Sequence, residues 1–160
     1  MDNGFVHAIR DFYESNRREL FAYALSLTRN EEAAEDVVHS AFCRLLKRRR
    51  LPVELRPYAF RCVRNATIDL LRRNHRPARE SVFELPDSTD PAAALAQRCH
   101  ADELLEAVSP DERECIVLKL YVGMTFREIA QTRQVPINTA ASWYRRGIEK
   151  MRALVEEDTT

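Results

Sequence analysis

The chain has 160 residues and 45% hydrophobic content, enough for one ordinary domain or two small ones with compact cores. Its formal net charge of zero hides a division: residues 1–76 carry 15 Lys/Arg against 10 Asp/Glu, residues 77–100 carry 2 against 4, and residues 101–160 carry 8 against 11. No stretch approaches the roughly 20 uncharged apolar residues of a bilayer span, and the N-terminus lacks a secretory core, so membrane insertion is excluded and a cytoplasmic location is expected.

In chain order, Phe5, Ile9, Phe12, Leu20, Ala24 and Leu27 recur mostly three or four apart and predict a first amphipathic helix. Asn30, followed by Glu31 and Glu32, reads as the N-cap of a second, whose apolar positions are Ala34, Val37, Val38, Ala41, Phe42 and Leu45. That helix runs out in Lys47, Arg48, Arg49 and Arg50. Pro57, well placed in a first turn, opens a third helix that continues to about Arg73.

Between Arg76 and Asp90 the prolines, serines and acidic residues break all periodicity and read as a linker. Asp90-Pro91 restarts helix, carried by Ala93, Leu95, Ala96, Leu104, Leu105 and Val108. Ser109-Pro-Asp-Glu112 and Thr125-Phe-Arg-Glu128 are capping boxes, with Gly123 as a stop between them. The expected fold is therefore all-α, with two small helical modules, 1–76 and 91–160, joined by a linker at 77–90.

Residues from about Thr125 to Leu154 have helix-turn-helix spacing, with a break at Gln134, Val135 and Pro136. At about 100 degrees per residue, a buried stripe of Ala140, Tyr144, Ile148, Met151 and Val155 leaves Asn138, Thr139, Ser142, Arg145 and Arg146 facing outward, where they suit phosphates and base edges of a duplex. The third helix gives an independent signal. Arg61, Arg64, Asn65, Ile68 and Arg72 cluster within about 60 degrees of one another, opposite Ala59, Val63, Ala66 and Leu70. Arg48, Arg49, Arg50 and Arg56 lie just before that helix with Tyr58 and Phe60, and basic groups beside aromatics suit single-stranded DNA; core packing of either aromatic is the equal alternative.

Enzyme readings find no support: there is no Gly-rich phosphate loop, H-E-x-x-H or G-x-S-x-G, and His7, His39, His75 and His100 are scattered. Cys43, Cys62, Cys99 and Cys115 show no metal-ligand spacing and read as core thiols. The chain is expected to be a non-enzyme with no catalytic residues, metal or cofactor.

These residues resemble a family. The run Glu35-Asp36-Val-Val-His-Ser-Ala-Phe-Cys-Arg-Leu-Leu46 is similar to the polymerase-binding helix of bacterial sigma factors, and Pro57 through Arg73 to the promoter-melting helix. Ser109-Pro-Asp-Glu-Arg-Glu, Glu128-Ile-Ala and Thr139-Ala-Ala-Ser-Trp-Tyr-Arg-Arg resemble the fourth conserved region. Family order and the short length match the extracytoplasmic-function group of the sigma-70 family. The resemblance implies binding to RNA polymerase core through Asp36, Val37, Ser40, Phe42, Arg44 and Leu45. It implies capture of an extruded minus-ten base by Arg48 to Arg56, with Arg61, Arg64, Asn65, Ile68 and Arg72 on the adjoining strand. Asn138, Thr139, Ser142, Trp143, Arg145 and Arg146 would meet the minus-thirty-five duplex, and an anti-sigma factor is a further partner in scope.

The sequence departs from the family pattern at Ala141 and Trp143, where basic residues flank the serine, and at Gln134, where the turn has glycine. Weak duplex affinity of the C-terminal module is expected, because lost phosphate contacts lower affinity and flatten its salt dependence. An autonomous helix-turn-helix regulator and a sigma-like interaction protein without promoter reading remain as alternatives at this point.

Overall fold

The computed structural model describes residues 3–74 and 101–159, and every regular element among them is helical. The linker at 77–90, the Asp90-Pro91 helix start, Cys99, His75 and His100 lie outside the described residues.

Helices α1 (Asn3–Thr28), α2 (Glu31–Leu46) and α3 (Leu55–Asn74) pack against one another as a bundle. The apolar rhythm is the cause: α1 buries Phe5, Ile9, Leu20, Ala24 and Leu25, α2 buries Ala34, Val37, Val38, Ala41, Phe42 and Leu45, and α3 buries Ala59, Phe60, Val63 and Ala66. Arg29, at φ 52, ends α1, and the Asn30 side chain then accepts from Ala33 N at 2.9 Å to start α2. Helix α3 begins two residues before Pro57, which still lies in the first turn, where a missing N–H costs nothing.

In the C-terminal module, residues 101–106 are helical, followed by α4 (Pro110–Ile116), α5 (Phe126–Arg133) and α6 (Ile137–Asp158). Both capping boxes form: Glu112 N donates to Ser109 Oγ at 3.3 Å and Ser109 N to Glu112 Oε2 at 3.1 Å, while Glu128 N donates to Thr125 Oγ1 at 3.1 Å and Thr125 N to Glu128 Oε1 at 3.2 Å. Helix α4 runs on into a π-helical stretch, Val117–Tyr121, whose wider ring Val122 N closes on Val117 O at 3.1 Å. Gly123 ends it at φ 77. No sequence signal announced that stretch.

Helix α6 lies close to α4 at Gly147, where a Cβ would come within 2.7 Å of Ile116 Cδ1 and 3.2 Å of Glu112 Cβ. Tyr144, Ile148 and Met151 pack around Leu105, Val108 and Ile116. Val155, expected in the same stripe, is exposed, because α6 outruns the surface that Met151 still reaches.

Gln134 takes the left-handed conformation, φ 55 and ψ 49, to turn the chain from α5 into α6. A side chain there costs roughly 1–2 kcal/mol, of which glycine's larger loss of freedom on folding offsets part. Gln134→Gly is accordingly expected to stabilise the chain by up to about 1 kcal/mol, read as a higher thermal unfolding midpoint; a lower midpoint would show that the Gln134 side chain makes stabilising contacts.

The two modules share one continuous apolar cluster, in which Tyr23, Phe60 and Val63 sit with Cys115, Leu118, Met124 and Ile129. Burial pushes the Cys115 thiol up to about 12, an inert thiol of the core type expected from sequence. Cys43, by contrast, is exposed on α2, 3.6 Å from His39 Nε2.

Candidate nucleic-acid interface

The helix assigned to polymerase contact divides into two sides. Asp36 and Arg44 are exposed and Ser40 is half-buried, with Arg44 Nη2 3.4 Å from Asp69 Oδ2 of α3. Val37, Phe42 and Leu45 are core residues instead of surface ones. Phe42 in particular packs its ring against Phe12 and Tyr13 of α1, at 6.3 Å and 4.9 Å between centroids. Asp36 also borders a cleft of about 640 Å³ between α1 and α2 that Tyr121 closes from the other module.

Arg48, Arg49 and Arg50 are exposed in the loop between α2 and α3. Arg48 donates to the Tyr58 hydroxyl, and the guanidinium groups of Arg48 and Arg61 lie 4.6 Å and 4.9 Å from the Tyr58 ring centre. Tyr58 is half-buried on the loop side, whereas Phe60 is fully buried against Tyr23 at 5.7 Å, so the two aromatics part company: one borders the cationic surface, the other belongs to the core. Beside Tyr58 lies a cleft of about 380 Å³ lined by Pro52, Val53, Glu54, Pro57 and Arg61, with Arg127 and Gln131 of α5 on its far wall. Those last two were missed in the sequence, which gives no local sign that α5 meets α3.

On α3, Asn65 and Arg72 are exposed and Ile68 is half-buried. Arg56 and Arg64 are not free. Arg56 Nη2 donates to Val122 O at 2.5 Å and Nη1 lies 3.4 Å from Glu128 Oε2; Arg64 Nε donates to Glu114 Oε1 and Oε2 at 3.1 Å and 3.4 Å. Glu114, side chain 8% exposed, also accepts from Tyr23 Oη at 3.2 Å and pairs with Arg133, whose Nη2 lies 2.6 Å from Asp111 Oδ1. Burial, with the Glu114 charge beside it, raises the Tyr23 phenol well above its ordinary range, so it donates as a neutral hydroxyl. Burial works against the Arg133 charge, yet Glu114 and Asp111 more than compensate and hold the guanidinium pKa above its usual value.

On α6, Asn138, Arg145 and Arg146 are exposed and Thr139 and Ser142 half-buried, the arrangement read from the sequence. Trp143 differs: its ring lies 4.9 Å from the Arg133 guanidinium and packs on the core cluster. The residue that stands where the family pattern has a basic side chain covers the buried arginine of α5.

Residues 12–77 match Sigma-70 region 2 and residues 101–151 match Sigma-70, region 4. A curated relative, the RNA polymerase sigma factor CarQ of Myxococcus xanthus, is 27% identical over 97% of this chain and 93% of its own length. The fold is similar to that of CnrH in complex with the cytosolic domain of CnrY, with a TM-score of 0.71 at 23% identity, covering 95% of this chain and 90% of that one. It is also similar to the sigma factor RpoE in complex with the anti-sigma factor NepR from Bartonella quintana, with a TM-score of 0.70 at 22% identity over 92% and 98% of the two chains. The chain belongs to the sigma-70 family of sigma factors, in its extracytoplasmic-function group. That placement sets aside the autonomous helix-turn-helix regulator.

Proposed function

We propose that this chain is an alternative sigma factor that binds RNA polymerase core, brings it to promoters and takes part in opening the duplex, the chemistry being the polymerase's own and none of it the chain's. The observation that carries this is the occurrence of region 2 and region 4 in family order along one chain. Exposed Arg48, Arg49, Arg50, Asn65 and Arg72 on the first and exposed Asn138, Arg145 and Arg146 on the second supply the polyanion-facing groups such a role needs. Asp36, Ser40 and Arg44 form the polymerase-facing side of α2, and the Tyr58 cleft receives an unstacked base, whose extraction costs a few kcal/mol that stacking and charge offset. The site of action is the cytoplasm; among the described residues no helix is long and apolar enough to cross a membrane. An anti-sigma factor is a further partner, since the RpoE neighbour is held by one.

The test is reconstitution with sigma-free core and mapping of transcription starts on genomic DNA. Discrete starts that require the chain are expected, and absence of core binding would refute the reading. In the same assay Asn65→Ala is expected to impair promoter opening, read by permanganate reactivity, about tenfold more than it impairs core binding, an energy of the order of one good base contact. Equal losses would make Asn65 a structural residue.

A further inference from the structure

Within the C-terminal module, α6 begins without local anchors: Pro136 offers no side-chain cap, and the first turn holds no acidic residue to complement the helix dipole. Packing has to set its position instead. Two adjacent residues of α6 do this at opposite ends of α5. Tyr144 meets Phe126, the first residue of α5, edge-on with ring centres 5.5 Å apart, and Trp143 covers Arg133, its last residue, at 4.9 Å. Neighbouring positions on a helix point about 100 degrees apart, so contacts from both resist rolling of α6 as well as tilting. The cation under Trp143 is itself fixed. The Arg133 side chain is 6% exposed, lies 2.6 Å from Asp111 Oδ1 and pairs with Glu114, both of α4. Its planar fork suits two carboxylates and leaves a flat face on which an aromatic ring can lie. Asp111, Glu114, Arg133 and Trp143 all belong to the C-terminal module, so this arrangement needs no residue of the first.

We propose that Arg133 and Trp143 are a positioning pair for duplex reading: the guanidinium, held by Asp111 and Glu114, seats the Trp143 ring and so fixes the rotation at which α6 presents its outward residues to the minus-thirty-five element. This rests on the sigma-factor reading for the duplex that α6 meets. Thr139 and Arg146 stand four positions before and three after Trp143, on its side of the helix, so any roll of α6 about this contact displaces both. Asn138, Ser142 and Arg145 turn with them. Where the family pattern has a basic side chain on α6, able to touch a phosphate, this chain carries its cation one layer deeper, on α5, where it acts on the helix and not on DNA. The gain comes from order already present before binding, since donors held in place lose less freedom when the duplex arrives.

The test uses the full chain assembled with sigma-free core, and two labelled fragments of a promoter whose start has been mapped: one carrying the minus-thirty-five element and one shortened to remove it. Trp143→Ala and Arg133→Met are each expected to weaken binding to the long fragment about tenfold, in the range of packing changes made off a contact surface. Binding to the short fragment and to core should stay unchanged. The double variant is expected to lose about tenfold as well, not the roughly hundredfold of independent contacts, because both residues act through one contact. Trp143→Phe should keep most of the affinity, since a ring remains on the guanidinium while the indole N–H is gone. Additive losses would make Trp143 a DNA contact in its own right, and full long-fragment affinity in either single variant would remove the pair from duplex reading; each result overturns the proposal. If Arg133→Met loses helicity by circular dichroism, the two Trp143 variants decide, and equal losses in Trp143→Ala and Trp143→Phe overturn it. Failure of the wild-type chain to bind core or to start transcription would instead overturn the sigma-factor reading, and that is seen in the reconstitution before any variant is compared.

Discussion

Phe60→Ala is expected to lower the free energy of unfolding by about 3–5 kcal/mol, the range for truncating a large buried aromatic. The side chain is fully buried, packs on the equally buried Tyr23 ring, and belongs to the cluster that continues from α1 and α3 into Cys115 and Leu118 of the other module. Few neighbours can collapse into the space it leaves, since Tyr23 is itself fixed by its hydrogen bond to Glu114. Urea unfolding should show a much lower midpoint with little change in slope. Under conditions where the variant stays folded, promoter melting with core should persist, because Arg48 to Arg50 and Tyr58 lie outside the core. A small loss of stability with abolished melting would mean that Phe60 stacks on a base, the alternative that its sequence position beside Tyr58 left open.

Joint replacement of Arg48, Arg49 and Arg50 by alanine should act in the opposite way, sparing the fold and weakening DNA binding. All three are exposed, and among the described residues no contact that orders the bundle depends on them apart from the pairing of Arg48 with Tyr58. Each phosphate contact on a single strand contributes about 0.7 to the slope of log affinity against log salt, so the slope for the complex with core and promoter is expected to flatten by about 2. An unchanged slope would assign the three arginines to a solvated face and move the minus-ten contact to Arg61 and Arg72.

The helices themselves were legible because their causes are local. The Asn30 cap, the two Ser/Thr-to-Glu boxes and the three-and-four rhythms each act over four or five residues, and the structure realises them where the sequence placed them. The outward set on α6, Asn138, Thr139, Ser142, Arg145 and Arg146, was legible for the same reason. What a helical wheel cannot tell is which outward residues meet water and which meet another helix. Arg64 and Arg72 share a face on the wheel, yet Arg72 is exposed while Arg64 reaches a carboxylate fifty positions away. Val37, Phe42 and Leu45 show the converse, since family likeness names the helix that makes a contact without separating the residues that touch from those that hold the helix. Glu114 escaped notice because its importance arises only when α1, α3 and α5 come together around it.

The cover that Trp143 forms over Arg133 has an optical consequence. It is the chain's one tryptophan, half-buried and stacked beside a cation on the α5 side of α6. Its emission wavelength therefore depends on whether water reaches the indole, and no dye is needed to follow that in the intact chain, alone or on polymerase.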